Sequence, residues 1–207
     1  MNSDPKNLKA IYDEMYGIKP RRVAEVGVND PHLCSLLSFI NEGIPTLLVE
    51  PLPSCCQNLR DAFTGKTVEV IEGVIGDKEG SVLLYDRGAG SWIEDVPKGG
   101  APDEHPNGCN TKREEFNHSY VRTVRSYRWQ MVDPSDIDVL CVDTEGAEWF
   151  VVREMISRPA LVRCEMHFPP TGWMNPHNAA IRQKMEEMGY TVIGEDVSDV
   201  LWARTTK

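Results

Sequence analysis

Positive charge is scarce in this chain. Its 207 residues hold 22 Lys and Arg against 32 Asp and Glu, a formal net charge of −10. A nucleic-acid surface needs basic patches that displace counterions, and an anionic membrane repels such a chain, so composition argues against both partners. Long apolar runs are missing too. No stretch approaches the length of a membrane-spanning helix, and the first 20 residues lack the apolar core of a secretory signal. The six cysteines form no CxxC pair. Cys141 and Cys164 fall in apolar strand patterns, where a thiol behaves as a small buried hydrophobe. A reducing cytoplasm, with neither disulfides nor structural zinc, is the expectation. The turn after the first strand pattern also lacks glycines. Asn29 and His32 stand where a GxGxxG fingerprint would place its second and third. That disfavours NAD and FAD, and with them a nicotinamide oxidoreductase.

What is present is an alternation of strand and helix patterns. Apolar residues make up 41% of the chain, enough for one sizeable core and a single domain over 1–207. Ser3-Asp4-Pro5 reads as a helix start, with Leu8, Ile11, Tyr12 and Met15 at helical spacing within an N-terminal helix in 1–18. Strands are expected at Arg22–Val28, Thr46–Glu50, Thr67–Ile75, Ser81–Tyr85, Ile137–Asp143 and Leu161–His167, and near Tyr190–Ile193 and Val200–Ala203. Helices are expected at Pro31–Glu42, Pro53–Phe63, Ala147–Ile156 and Pro176–Met188. This order predicts an α/β fold, a doubly wound, mostly parallel sheet with helices on both faces. Residues 86–118 break the rhythm and read as an irregular insertion, either a lid over the site or a surface loop.

In such sheets ligands bind beyond the carboxyl ends of the strands. Three carboxylates cluster there, in Asp143-Thr-Glu145-Gly146-Ala-Glu148. Glu25, Gly27 and Asn29 form the first strand's turn, and Glu50 ends the second strand, where its oxygens can accept both hydroxyl protons of a ribose. Gly73 and Val74, at the end of the third strand, offer small and apolar walls, though the glycine also suits the turn alone. Glu148 has a simpler role available, complementing the dipole at a helix start. On the fifth strand Arg163, Glu165 and His167 share one face. A buried Arg163–Glu165 pair is one reading; His167, at the strand's end, has the pKa of a general base. His105, Cys109 and His118 lack zinc spacing. Arg122, Arg125 and Arg128 read as a solvated face, or at most a patch for an anionic acceptor.

VAEVGVND (23–30), LLVEPLPS (47–54), VIEGVIGDKEGSVLLY (70–85), IDVLCVDTEGAE (137–148) and RCEMHF (163–168), in this order, resemble the FkbM family of S-adenosylmethionine-dependent methyltransferases. The resemblance covers residues 20–93 and 119–204. It implies the Rossmann-like class I methyltransferase fold, a sheet of about seven mostly parallel strands with the last antiparallel. It implies S-adenosyl-L-methionine as cofactor and methyl transfer to a hydroxyl of a small acceptor such as a sugar. Glu25 and Gly27 match the family's acidic-x-Gly motif, Glu50 its ribose acid, and Asp143 and Glu145 its DxEG acids. The chain departs from the pattern at Val28 and Pro31, where the family usually has alanine and glycine; Pro31 fits a helix's first turn.

Asp143, Glu145 and His167 are thus the candidate catalytic residues. Glu25, Gly27, Asn29, Glu50, Gly73, Val74 and Asp143 are the candidate cofactor contacts, and the resemblance calls for no metal. The expected partner is a small hydroxylated molecule, with no nucleic acid and no membrane; oligomeric state is left open. The competing reading is a non-catalytic protein of the same fold that binds a partner through 86–118.

Overall fold

The structure, a computed structural model, describes residues 7–86, 91–93, 121–166 and 175–204. Asn7 caps α1 (Leu8–Tyr16), its side chain accepting the Ala10 N–H, and Gly17 ends that helix in the left-handed conformation. The expected start at Ser3-Asp4-Pro5 lies outside the described residues. The chain continues through β1 (Val23–Val26), α2 (Leu37–Asn41), β2 (Thr46–Glu50) and α3 (Pro53–Ala62), the last with proline in its first turn. Next come β3 (Val68–Glu72), β4 (Val74–Ile75), β5 (Gly80–Tyr85), β6 (Trp92–Ile93) and β7 (Val121–Tyr127). The remainder is α4 (Trp129–Val132), β8 (Val139–Val142), α5 (Glu148–Val152), β9 (Leu161–Glu165), α6 (Asn178–Glu187), β10 (Tyr190–Glu195) and β11 (Asp199–Arg204).

Seven strands form the main sheet, in the order β10-β11-β9-β8-β1-β2-β3. β3, β2, β1, β8 and β9 run parallel, and β11 lies antiparallel between β9 and β10. β1, β2 and β8 are buried at every position, as parallel strands covered on both faces must be. Their side chains alternate between two cores. Val23, Leu48, Val139 and Cys141 meet Leu8, Tyr12, Phe39 and Leu59 on one face. Ala24, Val26, Val49 and Leu140 meet Phe150, Val151, Ile181 and Met185 on the other. The second core is completed by a four-stranded sheet, β4-β7-β5-β6, through Ile75, Leu84 and Ile93. Among the described residues no helix is long and apolar enough to cross a membrane.

The doubly wound architecture agrees with expectation; several boundaries do not. The third strand is split at Gly73, where β7 crosses so closely that a Cβ would lie 2.7 Å from the Arg125 carbonyl oxygen. β7 itself is a strand that patterning misses. Its exposed residues are Arg122, Thr123 and Arg125, and Val121 and Val124 are only half buried, so polar and apolar positions do not alternate by two. Its arginines are partly paired, Arg122 with Asp86 at 2.6 Å, and the adjacent Arg128 with Glu154 at 2.6 Å. The helix expected over Pro31–Glu42 shrinks to α2. Residues ahead of it are held in a turn, with Asp30 Oδ1 accepting the His32 N–H at 2.7 Å and Glu25 Oε1 the Ser35 N–H at 3.1 Å. Likewise α5 covers only Glu148–Val152 of the helix expected over Ala147–Ile156.

Candidate active site

The first turn is built around two buried acids. Glu25, inside β1, accepts the Ser35 N–H and, at 3.1 Å, the Cys34 thiol. Glu50, at the end of β2, accepts one backbone N–H on each oxygen, from Asn29 and from Leu52, both at 2.9 Å. Burial pushes both carboxyls above their ordinary pKa. Asn29 sits at φ +51, one of three described non-glycine residues at positive φ. Glu145 is another, at +54, so the two strained residues face one cleft. Gly27 is required by packing: at φ +87, a Cβ there would fall 1.7 Å from the Asp143 carbonyl oxygen. That contact brings the β1 turn against the end of β8.

At the β8 end the carboxylates converge. Glu145 stands in the left-handed conformation, and its carboxylate meets Asp143. Oxygens of Asp143, Glu145 and Glu165 all lie within 4.8 Å of one another. Carboxylates this close repel unless a proton or a cation lies among them. Asp143 is pushed up to about 7, first by burial and then by the Glu145 and Glu148 charges, while a hydrogen bond with Glu165 and the Arg163 charge act the other way. Glu165 is raised well above the carboxylate range by burial and by Asp143. Burial and mutual repulsion raise both carboxyls, and their titration belongs to the pair.

Glu148 does more than complement a dipole. It is fully buried, and one oxygen accepts the Thr144 N–H at 2.9 Å, the Thr144 hydroxyl at 3.0 Å and the Gly146 N–H at 3.1 Å. The other oxygen accepts from the Asn175 side chain. Glu148 thus moulds the loop that presents Asp143 and Glu145. Arg163 does not pair with Glu165. Its Nε and Nη2 donate to the two Asp199 oxygens, each at 3.0 Å, and Nη1 donates to Ser35 Oγ at 2.7 Å. The antiparallel register of β11, which sets Asp199 opposite Glu165 and Leu201 opposite Arg163, delivers that acid.

These groups line a cleft of about 690 Å³ bounded by Gly27, Asn29, Glu50, Asp143, Glu145 and Arg163. Pro51, Ser91 and Thr144 are shared with an adjoining, mostly apolar slot of about 370 Å³. Gly73, Val74, Trp92 and Ala147 wall that slot, and Trp92 stacks on Tyr85 with ring centres 5.2 Å apart. A polar cleft opening into an apolar slot suits a nucleoside bearing an amino-acid arm: the acid at Glu50 for a ribose, the slot for a base.

His167, Trp173, His105, Cys109 and His118 lie outside the described residues, as does most of 86–118. Within that region Trp92–Ile93 forms β6 rather than irregular chain. His177 stands at the start of α6 with its ring stacked on Trp149, away from the cleft. Glu165 is the member that sequence reasoning left in a structural role. Its one signal was a charged residue at the end of a buried strand beside β8.

A family model for the methyltransferase FkbM domain matches residues 25–192. No curated protein matches the chain. Among solved structures, one provisionally described as a caffeoyl-CoA O-methyltransferase from Staphylococcus aureus is 10% identical. It has a TM-score of 0.53, with 99% of this chain and 85% of that chain covered. A TehB-like SAM-dependent methyltransferase from Corynebacterium glutamicum is 9% identical, with a TM-score of 0.47 over 99% of this chain and 90% of that one. At such identity the first likeness bears on the fold alone. The family match takes in β1 with its turn, Glu50, the Asp143–Glu148 loop and β9, the segments that build the cleft. With that match spanning most of its length, the chain belongs to the FkbM family of methyltransferases, whose methyl donor is S-adenosyl-L-methionine.

Proposed function

We propose that this chain methylates a hydroxyl oxygen on a small molecule, such as a sugar or a secondary metabolite. The observation that carries this reading is the cluster of Asp143, Glu145 and Glu165, whose oxygens lie within 4.8 Å of one another beside the donor cleft, with Asp143 pushed up to about 7 chiefly by burial. Bound S-adenosyl-L-methionine supplies an electrophilic methyl group on a sulfonium. An alcohol is a poor nucleophile until its proton is removed, so a base beside the acceptor is what the protein must add. Asp143 accepts that proton, with Glu165 tuning it and Glu145 holding the hydroxyl in line. His167, placed by sequence after the same strand, is the other candidate base.

The remaining roles follow from position. Glu50 takes the ribose hydroxyls on lone pairs that its two backbone donors leave over. Gly27 and Asn29 shape the turn, and Glu25 pins its far end at Ser35. Gly73 and Val74 form the adenine slot together with Pro51 and Trp92. The whole chain acts as one catalytic domain, to which residues 86–118 contribute Ser91 and Trp92.

The test is formation of S-adenosylhomocysteine with a panel of hydroxylated and amine acceptors. Asp143→Asn should lower turnover on the hydroxyl acceptor by roughly 10²-fold or more, the usual worth of a general base. Wild-type turnover should rise with pH through about 7 and persist in a chelator. Methyl transfer confined to amines, or a fully active Asp143→Asn, would sink the reading.

A further inference from the structure

The turn after β1 is where a methyltransferase of this family would usually offer a glycine-rich backbone, and here five of its backbone N–H groups are already taken by the protein itself. The N–H of Asn29 goes to Glu50, that of His32 to Asp30 and that of Ser35 to Glu25. The N–H of Asp30 goes to the Val28 carbonyl and that of Leu33 to the Asp30 carbonyl. The donor nevertheless carries an α-carboxylate. The cleft that must hold it is walled by four carboxylates, Glu25, Glu50, Asp143 and Glu145. An anion placed among them without a cation or donors would be repelled at a cost that burial increases.

One cation lines that cleft among the described residues, Arg163. It is an unexpected residue inside a parallel strand, flanked by the buried Val162 and Cys164. Two side chains fix its guanidinium plane, Asp199 on one edge and Ser35 on Nη1, and those bonds use three of its five N–H donors. Burial opposes its charge, but Asp199 and the surrounding anions outweigh that, and it stays protonated. A guanidinium held rigidly, with two Nη hydrogens unclaimed among the described residues, is a ready partner for a carboxylate. We infer that Arg163, steadied by Ser35 and Asp199, is the residue that binds the α-carboxylate of the methyl donor, in place of the backbone amides of a glycine-rich turn. This rests on assigning the cleft to S-adenosyl-L-methionine. It adds a recognition element for the amino-acid arm, so the protein distinguishes the intact donor from its truncated nucleoside.

The experiment compares S-adenosylhomocysteine with 5′-methylthioadenosine, which keeps the nucleoside and sulfur but has no amino-acid arm. Both are titrated calorimetrically into wild type, Arg163→Lys, and the double variant Arg163→Met with Asp199→Asn. The double variant removes both charges, so no lone buried carboxylate is left behind; folding is checked by circular dichroism. In the double variant, affinity for S-adenosylhomocysteine should fall about 10- to 100-fold, as expected for a lost charge-assisted contact, while that for 5′-methylthioadenosine stays within about 2-fold. Arg163→Lys keeps the charge but not the fork and should lie between, which preserves the test if the double variant does not fold. Equal losses for both ligands, or no loss for either, overturn the inference and leave Arg163 a structural tie. If neither ligand binds wild type, the donor assignment itself fails, and this inference with it.

Discussion

Asp143 lies where burial and neighbouring anions oppose its ionisation, which sets both its chemistry and its effect on stability. Its folded pKa of about 7 stands above the unfolded carboxylate value of roughly 3.9, so the folded chain keeps a proton that the unfolded chain gives up. Stability from this group is present below about pH 4 and is lost as pH rises through about 7. Asp143→Asn should flatten that dependence by up to about 1.4 kcal/mol per pH unit. Urea melts at pH values between about 4 and 7 check it, and an unchanged slope would place the titration elsewhere. Glu50 makes a second residue-scale prediction. Glu50→Gln should weaken S-adenosylhomocysteine binding by roughly 1–3 kcal/mol, because buried ribose hydroxyls lose acceptors. Both acids were legible from sequence, since each ends an apolar strand and strand ends carry ligands in this architecture. The Arg163–Glu165 pair is one reading of the β9 sequence; the bonds of Arg163 go instead to Asp199 and Ser35. Arg163 and Glu165 lie two apart on one strand, and what separates them is Asp199, a residue on β11 that no local pattern links to either.

At Gly27 and Gly73 elements approach too closely for any side chain. Gly27 lets the β1 turn rest on the Asp143 carbonyl, which joins the turn after β1 to the loop after β8. Gly27→Ala should cost about 3 kcal/mol or more, since both the conformation and the space forbid it. Gly43 is the control. It too has positive φ, +75, but nothing within 4 Å of its would-be Cβ. Gly43→Ala should therefore cost only about 1–2 kcal/mol, and equal losses at the two sites in thermal melts would refute the contact argument. The central strands of the main sheet could be read in advance because they are buried on both faces and carry continuous apolar runs, such as 47–49 within β2 and Val139–Val142. Of the second sheet, the residues of β4 and β5 fall within expected strands, but those of β6 and β7 do not. β7 hides behind its exposed arginines, and β6 is two residues long, too short to carry a period.

At the scale of the whole molecule the buried acids act together. Glu25, Glu50, Asp143, Glu148 and Glu165 are all raised, each chiefly by burial. By the same sign as for Asp143, the fold should be most stable in mild acid and lose stability towards alkaline pH, a trend that the formal charge of −10 reinforces through self-repulsion. A melting temperature that climbs steadily from about pH 5 to 8 would contradict this. S-adenosyl-L-methionine, bringing positive charge into the cleft, should raise the melting temperature most at the alkaline end. The position of β11 has a different consequence, one of timing. It is made after β10 yet slots inside it, against β9, so β9 keeps an open edge until residues 199–204 have been synthesised. Arg163 has no counter-ion during that interval, because Asp199 is not yet there. On the ribosome, β1, β2, β3 and β8 can assemble early, but the arginine and the strand that carries it must wait for the hairpin to invade. The nascent chain thus exposes an unfinished sheet edge until β11 is made, an interval in which a chaperone has most to protect.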